Sequence, residues 1–164
     1  MAVALVKPHN RWIIVASYLL ALMLSVFPLF YEARWLRPEF LALFVIFWAI
    51  RLPQQLSLLW VFLAGCWLDV LEGVVLGQHA LALVLVAYLA LLVHKRMQHY
   101  VSWQQLLVVM AIIAVHQLLD NWIHSFQGGA AANLDFLMPA FISALLWPLV
   151  RAGLDRLRNR FRVT

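Results

Sequence analysis

The run WQQLLVVMAIIAVHQLLDNWI, residues 103–123, decides the class of fold. Asp120 is its only charged residue, and as a helix it would extend about 30 Å, the thickness of a bilayer's hydrocarbon core. A soluble domain would have to bury such a helix on every side. This chain of 164 residues is 66% hydrophobic and 12% charged, with a mean hydropathy of +0.90. Average soluble domains are ~45–50% apolar and ~25% charged. One soluble core of this size cannot hide so much apolar surface, whereas lipid removes the problem.

Beyond 103–123, the chain has five further apolar runs. The expected spans are 12–30, 38–51, 56–71, 79–94, 103–123 and 134–150, followed by a basic tail at 151–164. The second run is short for an upright span of ~17–25 residues, so it must borrow its flanks or cross a thinned region. Connections are short, Gly128-Gly129 marks the loop before the last helix, and no stretch is long enough for a soluble domain. The first run follows Lys7 and Arg11 as a signal sequence would. It is longer than the ~7–15 residues of a signal's apolar region and has no small-residue cleavage site after it, so an uncleaved first helix is expected. The fold class is therefore an all-α integral membrane protein, a six-helix transmembrane bundle forming a single domain.

The net charge of +5 is distributed between the apolar runs and in the tail, which speaks for topology and against nucleic acid. If the N-terminus is cytoplasmic, that side receives Lys7, Arg11, Arg51, Lys95, Arg96, Arg151, Arg156, Arg158, Arg160 and Arg162. Only Arg34 and Arg37 fall on the other side, together with Glu32, Glu39, Asp69, Glu72, Asp120 and Asp135. An even number of spans with both termini inside preserves this sorting, and five or seven would break it. The single cysteine, Cys66, excludes an intramolecular disulfide and a cysteine-based metal cage.

The most specific motif is Gly65-Cys66-Trp67-Leu68-Asp69-Val70-Leu71-Glu72-Gly73-Val74-Val75-Leu76-Gly77. Gly65, Asp69, Gly73 and Gly77 recur every fourth residue, hence on one helical face. Two readings stand. The glycines serve close helix packing while Asp69 caps a neighbouring helix, with Gly73 and Gly77 ending the helix and forming the turn. Alternatively the stripe contacts a partner helix or a ligand.

His116, Asp120 and His124 recur at i, i+4, i+8, a spacing compatible with metal, but no fourth ligand is evident and an interfacial polar face is expected instead. Gln104 and Gln105 are expected to bond headgroups at the inner interface. Leu154, Leu157 and Phe161, with arginines between them, read as a short amphipathic helix. It would lie on the anionic leaflet or dock on a cytoplasmic protein through Arg151, Arg156, Arg158, Arg160 and Arg162. No nucleophile elbow, phosphate-cradling loop, HExxH or paired-cysteine motif is present, so enzymatic chemistry and a cofactor are not expected. An intramembrane enzyme would have only the His116/Asp120/His124 set to draw on.

Several blocks together resemble the bacterial MreD family of rod shape-determining membrane proteins. They are Arg37-Pro38 before the second helix, the glycine–aspartate stripe with Leu76-Gly77, Trp103-Gln104-Gln105 with Val108-Val109-Met110, and Leu146-Trp147-Pro148. The resemblance runs nearly end to end. It implies a non-enzymatic scaffold of cell-wall elongation in the bacterial inner membrane, associated with MreC and, more widely, with RodA, a class B penicillin-binding transpeptidase and MreB. It also implies similarity to the substrate-binding subunits of energy-coupling-factor transporters. From this comes the alternative function, a membrane binding subunit for a small ligand or lipid, in which Trp67 and Asp69 would line an outward-facing pocket. The His116–His124 stretch belongs to no motif of the family.

Overall fold

The computed structural model describes residues 12–26, 37–126 and 137–161. Lys7, Arg11, Glu32, Arg34, Gly128, Gly129, Asp135 and Arg162 lie outside the described residues, as does the side chain of His124. Six α-helices and no strands make up the described chain: α1 Trp12–Val26, α2 Phe40–Arg51, α3 Leu58–Glu72, α4 Gln78–Met97, α5 Ser102–Phe126 and α6 Met138–Arg160. Two of them, α4 and α5 (the latter over Ser102–Ile123), are long and apolar enough to cross a membrane.

The helices alternate in direction, and the contacts at their ends make two opposite poles. At one pole the start of α1 meets the end of α6, where the rings of Trp12 and Phe161 stand edge to face at 6.0 Å. Arg51 at the end of α2 pairs with Asp155 of α6 at 2.5 Å. Gln98, just beyond α4, donates to the Ile50 carbonyl of α2. This pole collects Arg51, Lys95, Arg96, Arg151, Arg156, Arg158 and Arg160 against Asp155. At the other pole the backbone N–H of Glu39, ahead of α2, donates to Ser143 near the start of α6. Gln117 of α5 donates to the Glu39 carboxylate. Here Glu39, Asp69, Glu72 and Asp120 gather with Arg37.

The short second run has a simple explanation. Every residue of α2 from Leu41 to Ile50 is buried, with α1, α4, α5 and α6 packed around it. At about 18 Å it is a core helix with no lipid-facing side to match to the bilayer. Its Trp48 indole donates to Ser17 of α1 at 2.8 Å, so the one buried N–H on this helix's largest side chain is satisfied. Pro38 precedes the helix, which begins at Phe40.

The amphipathic tail is not a separate helix. α6 runs unbroken through Pro148 to Arg160. Proline removes one intrahelical bond, a loss membrane helices tolerate when neighbours support the turn. Leu154 is buried and Leu157 packs on the same core. Two of the tail's three apolar residues thus pack into the bundle, while Phe161, Arg156 and Arg160 remain exposed.

Candidate functional site

The glycine–aspartate stripe folds into the α3–α4 hairpin. α3 ends at Gly73, whose φ of 69° is a left-handed cap, and α4 begins after Gly77 with φ of 102°. L side chains rarely adopt such φ values, which explains glycine at both positions. Between them the chain reverses, and Asp69 closes the turn. Its Oδ2 accepts the Gly77 backbone N–H at 2.8 Å, and its Oδ1 accepts the His79 backbone N–H at 2.8 Å. His79 Nδ1 lies 2.9 Å from the same Oδ1. A carboxylate of α3 therefore caps the N-terminus of α4, satisfying donors that a helix start leaves free and complementing its dipole. Asp69 is completely buried. One turn earlier, a Cβ on Gly65 would collide with the Ala80 backbone of α4. Gly65 thus lets the two helix backbones approach closely.

Trp67 and Asp69 face different ways. Trp67 is 62% exposed and lines a groove between α1 and α3, while Asp69 points into the hairpin and is not among that groove's residues. The groove has a volume of about 410 Å³, and Tyr18, Leu22, Gln55, Ser57 and Trp60 also line it.

Beside the hairpin, the acidic pole holds a cavity of about 160 Å³ walled by Arg37, Glu39, Glu72, His79, Gln117 and Asp120, among others. Arg37 pairs with Glu72 at 3.4 Å. His79 Nε2 lies 3.5 Å from Glu72 and 3.7 Å from Asp120. Gln78 donates to Asp120 at 2.7 Å. His116 is fully buried with neither ring nitrogen hydrogen-bonded, its ring 6.2 Å from that of His79. No group of three or more His, Cys, Asp or Glu among the described residues is arranged to hold a metal ion.

The opposite pole has its own polar knot. Gln105 is buried and does not reach for headgroups. Its amide N–H donates to the carbonyls of Met97 and Tyr100, while its Oε1 accepts from Trp147 Nε1 at 3.3 Å and Arg151 at 2.5 Å. The Trp103-Gln104-Gln105 and Leu146-Trp147-Pro148 blocks, distant in sequence, thus meet in one place. Arg37-Pro38 and the glycine–aspartate stripe likewise meet through Arg37 and Glu72. His79, Gln78, Gln117, Ser143 and Tyr18 carry much of this geometry and were not singled out from sequence. Only His79 had a local signal, two residues beyond the helix-breaking Gly77.

An apolar helical bundle with a buried core helix and charges sorted to two poles defines the chain as an all-α membrane protein. The family model for the rod shape-determining protein MreD matches residues 7–156, and the chain belongs to that family. It is 27% identical over 154 residues to the rod shape-determining protein MreD of Haemophilus influenzae (strain ATCC 51907 / DSM 11121 / KW20 / Rd), covering 93% of this chain and 95% of that one. No solved structure matches. Membership gives the chain a rod shape-determining role in the membrane.

Proposed function

We propose that this chain is a non-enzymatic scaffold of the cell-wall elongation machinery, crossing the bacterial inner membrane six times with both termini cytoplasmic. In this reading it binds MreC and couples it to the cytoskeleton and to the peptidoglycan synthases RodA and its transpeptidase partner. The observation that carries the reading is the polarity of the bundle. Arginines and lysines gather at the pole where α1 begins and α6 ends, which the positive-inside rule assigns to the cytoplasm.

The α3–α4 hairpin supplies the docking element. Helices in lipid have no hydrophobic drive to associate, so a docking face must be rigid and well shaped. Asp69, Gly65, Gly73 and Gly77 make the hairpin rigid by closing its turn and drawing its helices together. The stripe acts through that rigidity, and the partner helix meets the exposed flank formed by Val70, Leu71, Val75 and Leu76. A photocrosslinking residue at Leu71 or Leu76 is expected to capture MreC in cells, while one at Leu149, at least as exposed on α6, does not. Equal capture from all three positions, or none from the hairpin, removes this docking face. Reporters fused to the two termini test the topology separately: both must report the cytoplasm.

A further inference from the structure

Tyr18 is the residue that the scaffold reading leaves unexplained. It sits midway along α1, it is 8% exposed, and its hydroxyl has no hydrogen-bond partner. A buried hydroxyl without a partner costs on the order of 1–3 kcal/mol in proteins. Tyr18 lines the α1/α3 groove, so a molecule seated there can supply what the protein does not.

The groove specifies its occupant in three ways. Its walls are largely apolar: Leu22, Trp60, Leu63 and Trp67 run along it from Gln55 and Ser57 at one end. The Ser57–Trp67 stretch rises about 15 Å. The groove's volume of about 410 Å³ accommodates a hydrocarbon chain. The Tyr18 hydroxyl calls for an acceptor, and the carbonyls of a helix in lipid are already engaged in their own ladder. A lipid's ester carbonyl is free. Finally, the Gln55–Ser57 end of the groove belongs to the basic pole, since Arg51 precedes it and Trp12 of α1 touches Phe161. The exposed Arg156 and Arg160 give that pole a charge complementary to an anionic headgroup.

We propose that the α1/α3 groove is a lipid site: it holds one acyl chain of an anionic glycerophospholipid from the leaflet at the basic pole, with Tyr18 donating to the ester carbonyl and the end of α6 favouring the headgroup. The site is independent of the partner interface on the α3–α4 hairpin. A lipid seated there fills the gap between α1 and α3.

The full chain, purified in mild detergent and incubated with equal phosphatidylglycerol and phosphatidylethanolamine, is read by native mass spectrometry. The wild type is expected to retain one phosphatidylglycerol. Tyr18→Phe removes only the hydroxyl and should lower retention about five- to tenfold, the worth of one hydrogen bond. Ala64→Phe, which fills the groove, should abolish it. Arg156→Gln with Arg160→Gln should leave lipid bound but erase the preference for phosphatidylglycerol. A wild type that retains no lipid overturns the proposal. So does a Tyr18→Phe protein, folded as judged by its circular dichroism, that retains lipid as the wild type does. Equal wild-type retention of the two lipids overturns the role given to the arginines.

Discussion

Asp69 of α3 holds His79 of α4 twice, through the backbone N–H at 2.8 Å and through ring Nδ1 at 2.9 Å, both on a single carboxylate oxygen. An ionised carboxylate only accepts, so the ring proton of His79 resides on Nδ1 and Nε2 is turned toward Glu72 and Asp120. One side chain thereby sets both the turn between two helices and the orientation of a histidine in the polar cavity.

Replacing Asp69 by alanine leaves the buried His79 backbone N–H and the part-exposed Gly77 N–H without their acceptor. A buried unpaired group costs about 1–3 kcal/mol and a part-exposed one less, so a loss of about 2–4 kcal/mol is expected. Asp69→Asn keeps one acceptor but turns an NH2 toward a donor, and should fall between wild type and alanine. Thermal unfolding in detergent, followed by tryptophan fluorescence, checks the order. An alanine variant as stable as the wild type would show that the cap contributes nothing.

The four glycines within helices and turns of the described chain should respond differently to alanine. Gly65→Ala forces its new methyl into the Ala80 backbone, so α3 and α4 must separate, at a cost of about 1–3 kcal/mol. Gly73→Ala and Gly77→Ala meet open space but hold left-handed φ values, at about 1–2 kcal/mol each. Gly153→Ala meets open space within α6 and should stabilise by about 0.5–1 kcal/mol. The same unfolding assay ranks them. The contrast separates close approach from backbone conformation, which spacing alone could not do.

That distinction marks how far the sequence could be read. Six apolar runs predicted six helices because lipid demands length and uniform hydrophobicity, properties local to each run. The shortness of 38–51 was visible, but its cause was not: α2 is short because other helices surround it, and enclosure is a property of the assembly. The stripe announced one face of α3, yet the neighbour of that face, α4 at Ala80, was three residues beyond the motif. Gln105 looked interfacial because polar residues at span ends usually are. Burial against Trp147 and Arg151, more than forty positions away, could emerge only from folding. The groove beside Tyr18 had no signature, since an aromatic residue midway along an apolar helix reads as core.

The ion pair of Arg51 and Asp155 fastens the core helix to the basic end of α6. Both side chains are about one quarter exposed, and Asp155 also has Arg151 at 3.7 Å and Arg158 at 3.9 Å. Asp155→Ala removes the common partner of three cations and should cost more than Arg51→Ala, which leaves Asp155 two others. Expected losses are about 1–2 kcal/mol for Arg51→Ala and about 2–3 kcal/mol for Asp155→Ala. Exchanging the two residues should restore little, because an arginine at 155 faces Arg151 and Arg158. Full restoration by the exchange would show that the pair acts alone.

Gln105 is the strongest test of the basic pole as one unit. It spans three helices: its NH2 reaches the Met97 carbonyl at the end of α4 and the Tyr100 carbonyl in the turn after it, and its Oε1 receives the Trp147 indole and the Arg151 guanidinium of α6. Gln105→Ala strands donors and acceptors together and should lower stability by about 2–4 kcal/mol. Gln105→Glu keeps an acceptor for Arg151, now charge-assisted, but loses both donated bonds and turns a carboxylate toward two carbonyls. It should therefore remain destabilised, by less than alanine. In cells, both variants should reduce rod shape to the extent that they lower the amount of folded protein in the membrane. Loss of rod shape at undiminished protein level would instead give this knot a direct part in partner binding, and microscopy beside a quantitative immunoblot separates the two.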